Sequence, residues 1–333
     1  MYERRRPGDC GSGEVLEMIP LSRARSLQAL LRLPVWLWLG AFFLVPFVIT
    51  LKISLSEPAT AMPPYLPVLD WRGGAGDWSD FLQALNVENY VTLATDALYR
   101  DAALASVAYA LAATIILAGI ATPLAYAIAR SPAGRQPLLV ALVVVPFWTS
   151  FLIRVYAWIA ILKPEGLLNL GLMRLGLIGQ PLEILNTPVA VLIGLVYAYL
   201  PFMVLPLYAV LSRLDPALRE AAADLGASPA RVFRTVTLPL ALPGLLAGAA
   251  LCFIPMVGEF VIPDLLGGSE TLMLGRVLWS EFFSNRDWPL ASAVAILLVV
   301  LVVGPVVLFR DAAAEAASGE GSGREIPGRE GAP

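Results

Sequence analysis

Residues 220–239 read EAAADLGASPARVFRTVTLP, a charged, small-residue insertion between strongly apolar stretches at 188–211 and 240–265. Residues 217–225 favour helix, and Pro216 suits a first turn, where its missing N–H costs no hydrogen bond. Gly226 can end that helix, and Ser228 before Pro229 suits the start of another. Arg231, Val232, Phe233, Arg234 and Val236 then alternate basic and apolar character into Leu238 and Pro239. The stretch reads as a short helix–turn–helix lying outside a bilayer, and an ordinary amphipathic linker would show the same pattern.

Working outward, the chain is 58% hydrophobic and only 15% charged, with a mean hydropathy of +0.74. Apolar runs near 20 residues recur, the length a helix needs to cross roughly 30 Å of hydrocarbon. A soluble domain is excluded. The net charge of -3 says little, because charge is partitioned by location. There is no histidine, so the commonest metal ligand and the usual neutral-pH proton switch are both missing. The two cysteines, Cys10 and Cys252, fall in the head and in an apolar span, without metal-site spacing, so neither a disulfide nor a metal site is expected. No phosphate-binding P-loop occurs, so ATP hydrolysis is not expected of this chain.

Six spans are predicted, at 34–55, 101–129, 137–162, 188–211, 240–265 and 288–309. Residues 1–33 carry Arg4, Arg5, Arg6, Arg23, Arg25 and Arg32 and read as a basic, largely disordered cytoplasmic tail. A signal peptide is the competing reading of the first span, since Ala59-Thr60-Ala61 has the A-x-A form. The apolar run is too long for that, and a retained helix is favoured. Residues 34–99 thus hold one helix and an extracytoplasmic loop, acidic through Glu57, Asp70, Asp77, Asp80, Glu88 and Asp96 against Arg72. Such acidity either steers a cation or simply keeps a surface soluble. Residues 100–310 form the core, with basic turns at Arg130–Arg135 and over 213–239 on the cytoplasmic side. Residues 311–333, rich in Gly, Ser and Glu, read as a disordered tail, which leaves both termini cytoplasmic. Small residues such as those of 119–123 and 244–250 suit close helix packing in lipid.

Ionisable groups inside spans are costly and so mark candidate function. Arg154 lies beyond the middle of span three and Glu259 late in span five. Counted at 1.5 Å per residue they reach ~25 Å and ~30 Å along their helices, a similar depth, which invites a pair facing one outer cavity. Snorkelling of each to the interface is the alternative. Gly258, Pro255 and Pro263 should interrupt the helix around Glu259, as irregular backbone does where it lines a cavity. Trp148, Tyr156, Trp158, Tyr197 and Tyr199 offer aromatic faces to an ammonium group, or belong to the interfacial belt.

The spacing Glu220-Ala221-Ala222, then Gly226, then Val236, Leu238 and Pro239 resembles the EAA loop of ABC importer permeases, E-A-A-x3-G-x9-I-x-L-P, with Val236 in place of isoleucine. A narrower resemblance, over about 89–309, is to the PotB/PotH-type permeases of spermidine and putrescine importers. It rests on Pro146-Phe-Trp, on Arg154-Val-Tyr-Ala-Trp158, on the run 258–268, and on 274–279 with 282–288. The resemblance implies an all-α integral membrane protein with the type I ABC importer permease fold and a cytoplasmic coupling helix. Glu220, Ala221, Ala222, Asp224, Leu225, Gly226, Ser228 and Pro229 would then transmit motion from a cytoplasmic ATPase. A substrate pathway would draw on Glu259, Asp264, Arg154, Trp148, Tyr156 and Tyr197. It further implies a bacterial inner-membrane location and a second homologous permease. The other partners would be a pair of ATP-binding subunits holding ATP and Mg, an extracytoplasmic solute-binding protein and a polyamine. Lipid surrounds such a chain, and no nucleic-acid partner or cofactor of its own is expected. A secondary transporter or channel would explain the spans and Glu259 but not the spaced loop. A membrane enzyme would need a nucleophile setting that the chain lacks.

Overall fold

The computed structural model describes residues 32–68, 75–269 and 271–319, with side chains except at 75–78 and 305–319. The basic head over 1–31 and the end of the tail, 320–333, lie outside the described residues. The chain divides into two units, one ending at Lys52 and one beginning at Ile53. Helix α1 (Arg32–Ser54) is apolar all round, and Trp36, Trp38, Phe42 and Phe43 lie exposed on it. Side chains solvated by lipid need no packing partner within the chain.

The stretch after α1 is more ordered than a loop. Strands β1 (Glu57–Pro58) and β2 (Tyr65–Leu66) pair antiparallel, and helices α2 (Ala75–Gln83) and α3 (Glu88–Thr95) follow. Buried Asn89 on α3 donates to the carbonyls of Ser54 and Ser56 at 2.9 and 2.8 Å. Elements this short are held by such side chain–backbone bonds, which leave no apolar period to read.

Helix α4 (Ala97–Arg130) opens on Asp96, whose carboxylate accepts from the Leu98 N–H at 2.9 Å. Ala110, Ala113, Leu117, Ala121, Ala125 and Ile128 are buried along it at three- and four-residue spacing, one small-residue face. The predicted third span is broken. Helices α5 (Gln136–Trp148) and α6 (Phe151–Leu162), the latter continued by α7 (Leu167–Arg174), meet at a bend of 90°. Pro146 cannot continue the regular ladder, and the last turn tightens to 3-10 over Val145–Trp148. Thr149 then turns extended and donates its Oγ1 to the Pro146 carbonyl at 2.7 Å.

Helix α8 (Pro188–Leu211) leads to α9 (Pro216–Asp224), and α10 (Pro229–Val257) returns along α8. These two pack with α4 around Leu117, Leu195, Met203, Leu207, Cys252 and Met256, all fully buried. A Cβ at Gly248 would lie 3.0 Å from the Met203 carbonyl oxygen and one at Gly244 2.9 Å from that of Pro206. So α8 and α10 meet backbone to backbone, and only glycine fits there. The predicted fifth span stops at Val257, eight residues short. Helices α11 (Val261–Leu266) and α12 (Leu274–Trp279), the latter running into a π-helical turn at Ser280–Asn285, take its place.

The last helix, α13 (Trp288–Gly319), runs past the predicted end at 309. The alanine-rich stretch after Asp311 has high helix propensity, and the helix continues through it to Gly319. Among the described residues, α1, α4, α8 and α10 are long and apolar enough to cross a membrane. The bent pair makes a fifth candidate, and Trp288–Gly304 is a shorter apolar stretch.

Candidate functional site

Two turns, at opposite ends of α10, carry the residues singled out in the sequence. At the first, Asp215 caps α9 by accepting from the Ala217 N–H at 2.9 Å. The helix ends as the local chemistry requires. Gly226 takes φ +79. Its N–H donates to the Ala223 carbonyl at 2.8 Å, and Ala227 N–H donates to that of Ala222 at 3.2 Å. Two residues later Ser228 and Pro229 open α10. Replacing Gly226 by Ala places a Cβ in the left-handed region and is expected to cost about 1 kcal/mol, with Gly226→Asn milder. Unfolding midpoints in detergent should fall in the order wild type, Asn, Ala; an Ala variant as stable as wild type would remove this argument.

The face presented by this turn is open. Leu225 is 89% exposed, Glu220 and Asp224 are exposed, and neither makes an ion pair among the described residues. Behind α9 lies a cleft of about 320 Å³ lined by Tyr126, Arg130, Arg219, Glu220, Ala223 and Val232. Arg130 donates to the Tyr126 hydroxyl at 2.7 Å, and the Tyr126 ring meets Phe233 edge-on. The helix therefore stands away from its own bundle, with a carboxylate and a leucine bare.

At the second turn, Gly258 ends α10 and Glu259 lies partly buried before α11. The Tyr199 hydroxyl donates to Glu259 Oε2 at 2.8 Å, and Val261 N–H donates to Oε1 at 3.1 Å. Cys252, free and buried, points its thiol at the Tyr199 carbonyl, 3.5 Å away. A Cβ at Gly275 on α12 would strike the Gly258 carbonyl oxygen and lie 2.7 Å from that of Glu259. Asp264 is ion-paired to Arg276 at 3.1 Å, and Arg276 also donates to the Gly268 carbonyl at 3.2 Å. The Asn186 N–H donates to the Leu266 carbonyl at 2.9 Å. The Glu259 turn, α11 and α12 are thus tied to one another, and Asp264 is spent in that tie.

The expected Arg154–Glu259 pair is not formed. Arg154 follows the 90° bend, so its distance along a straight helix does not describe its place. Its guanidinium lies over Phe147 at 4.5 Å and Phe151 at 5.7 Å, and Nε and Nη1 are buried without a hydrogen-bond partner. Arg154 and Glu259 are instead joined by rings. Phe147 meets Phe202 edge-on at 5.3 Å, Phe202 meets Tyr199 at 6.0 Å, and Tyr199 bonds Glu259. Trp148 and Tyr156 lie open, 84% and 58% exposed, while Tyr197 packs edge-on against Trp158. Sequence reasoning listed Tyr199 only as one aromatic face among several. It missed Phe147, Phe202 and Gly275, and only the Gly-Gly and Leu-Gly pairs after 266 hinted at close backbone approach.

The described geometry sits inside a known family. Residues 135–310 match the binding-protein-dependent transport system inner membrane component family. The chain is 41% identical over 266 residues to the spermidine/putrescine transport system permease protein PotB of Haemophilus influenzae, covering 80% of this chain and 86% of that one. With the PotB of Escherichia coli it shares 42% identity over 226 residues, 68% of this chain and 82% of that one. In fold it is similar to a chain of a bacterial alginate ABC transporter solved in complex with its alginate pentasaccharide-bound periplasmic protein. There the TM-score is 0.62 at 18% identity, over 86% of this chain and 93% of that one. With the family match running through both the Gly226 turn and the Glu259 turn, the chain belongs to the binding-protein-dependent transport system inner membrane components, the membrane-spanning permeases of ABC importers.

Proposed function

We propose that the chain is one of two permease subunits of an ATP-driven polyamine importer, with spermidine and putrescine as cargo. The observation that carries the coupling role is the capped helix α9, which leaves Glu220 and the following Leu225 exposed, Glu220 without an ion pair among the described residues. Such a helix suits insertion into a cleft of a cytoplasmic ATPase. The tight turn at Gly226 leaves little slack between that helix and α10, so closure of an ATPase pair moves α10. Identity above 40% to the two PotB permeases supports the polyamine cargo.

On this reading α9 faces the cytoplasm with both termini, and the Glu259 turn faces outward, where a solute-binding protein delivers its load. Glu259 supplies the charge that favours a polyamine, because Asp264 is engaged by Arg276. Trp148 and Tyr156, open on the chain surface, suit a wall shared with the second permease. Arg154 is positioned to meet an acidic group from that subunit.

The test is ATP-dependent uptake of radiolabelled putrescine and spermidine into vesicles carrying the complete importer. Glu220→Ala is expected to lower uptake to about a tenth, as loss of a charge-assisted contact would. Uptake of another solute but neither polyamine would retain the permease and reject the cargo.

A further inference from the structure

Six aromatic rings run in continuous contact from the β-ribbon to the Glu259 turn. Tyr65 on β2 meets Trp288 at 6.4 Å between centroids. Trp288 stacks on Phe282 at 5.1 Å, and Phe282 meets Phe283 edge-on at 4.9 Å. Phe283 meets Trp279 at 4.1 Å, and Trp279 stacks on Phe260 at 4.9 Å. Phe260 is the next residue after Glu259. Local geometry explains the series: Trp279, Phe282 and Phe283 stand three and four residues apart on one helical face. Gly275, one turn before Trp279, is pressed against the Gly258 and Glu259 carbonyls, which brings that face beside Phe260.

The series is not sealed inside the chain: Trp279 is 43% and Phe283 55% exposed. The series also ends beside a carboxylate. Glu259 lies at the inner end, its carboxylate accepting from the Tyr199 hydroxyl and the Val261 N–H. A second acid of this region, Glu281, is buried and taken up by the Tyr99 hydroxyl at 3.0 Å and Asn285 at 2.8 Å. Arg276, the cation on α12, is held by Asp264 and the Gly268 carbonyl, and among the described residues no guanidinium is seen over the exposed rings.

We propose that the exposed faces of Phe283 and Trp279, with Phe260, form a stepped path along which the ammonium groups of a polyamine pass to Glu259. The inference rests on the polyamine cargo proposed above. Each ring face attracts a cation through its quadrupole without binding it tightly. Centroid spacings of 4.1 and 4.9 Å between successive rings are within the reach of a short methylene spacer joining two amines. One ammonium can therefore rest on a ring while the next is handed forward.

The experiment uses the complete importer in proteoliposomes with saturating, spermidine-loaded binding protein, and reads spermidine accumulated per ATP hydrolysed. This ratio isolates steps after delivery, since affinity for free spermidine is set by the binding protein. Trp279→Leu with Phe283→Leu should lower the ratio about fivefold, the effect of losing one or two modest cation–π contacts. Trp279→Tyr, which keeps a ring, should stay within twofold of wild type. A Leu pair that keeps the wild-type ratio would overturn the proposal. So would a Tyr variant as impaired as the Leu pair. A higher binding-protein concentration needed for half-maximal ATPase, with the ratio intact, would make the rings a docking surface and also overturn it. A wild-type importer that carries no polyamine fails at the cargo itself, before the path is in question.

Discussion

Replacing Glu259 by Gln is expected to reduce polyamine uptake about fiftyfold while leaving the unfolding midpoint of the complex near wild type. Glutamine keeps the shape of the turn. Its carbonyl can accept from the Val261 N–H, and its amide can donate to a rotated Tyr199 hydroxyl, so both hydrogen bonds at this site survive. What disappears is the charge, and a lost charge-assisted contact of roughly 2–3 kcal/mol corresponds to a change of that size in rate. Glu259→Asp should be intermediate, because it keeps the charge but shortens the reach to Tyr199. Glu259→Ala adds a second defect, since it strands the Tyr199 hydroxyl in a partly buried site. Uptake by the Gln variant at the wild-type rate would make the carboxylate a structural tie and nothing more.

The second large effect is expected at Gly275. A methyl group there meets two backbone carbonyl oxygens, of Gly258 and Glu259, and no flexible side chain stands between to give way. Gly275→Ala should therefore force α12 and the Glu259 turn apart, at a cost of about 3 kcal/mol, with uptake falling alongside the unfolding midpoint. Gly258→Ala is the internal comparison. A Cβ at Gly258 meets nothing nearer than the Pro255 carbonyl at 4.0 Å, so its midpoint should stay close to wild type. Equal midpoints for the two variants would show that α12 has room to retreat, and that Gly275 does not position Glu259.

The two turns differ in how far their form could be read from the chain. Every bond that shapes the Gly226 turn lies within a few residues, from the Asp215 cap to the Ala227–Ala222 closure. Gly226 and Ser228-Pro229 therefore announce it. The Glu259 turn was legible as an interruption, through Gly258, Pro255 and Pro263. Its partners were not, because Tyr199 stands 60 residues away in the chain and Gly275 on a separate helix. The break in the third span shows the same limit. Pro146 marks where regular helix fails, but the 90° direction that follows is set in three dimensions. That direction removed Arg154 from Glu259.

The glycine contacts of α10 have a mechanical consequence. This helix spans 29 residues, about 43 Å at α-helical rise, with a π-helical turn at Phe233–Thr237 and prolines at 243 and 255 within it. It touches α8 backbone to backbone at Gly244 and Gly248, about 25 Å from the Gly226 turn and about 17 Å from the Glu259 turn. A rod seated so closely on one neighbour tilts about that seat as a lever about a fulcrum. On the proposed coupling role, a push at Gly226 would return a smaller movement, in the opposite sense, at Glu259. In that role, one stroke would spread one mouth of the transporter and narrow the other. Both mouths standing open together would require the fulcrum to slide, which glycine-tight contact with the Met203 and Pro206 carbonyls resists.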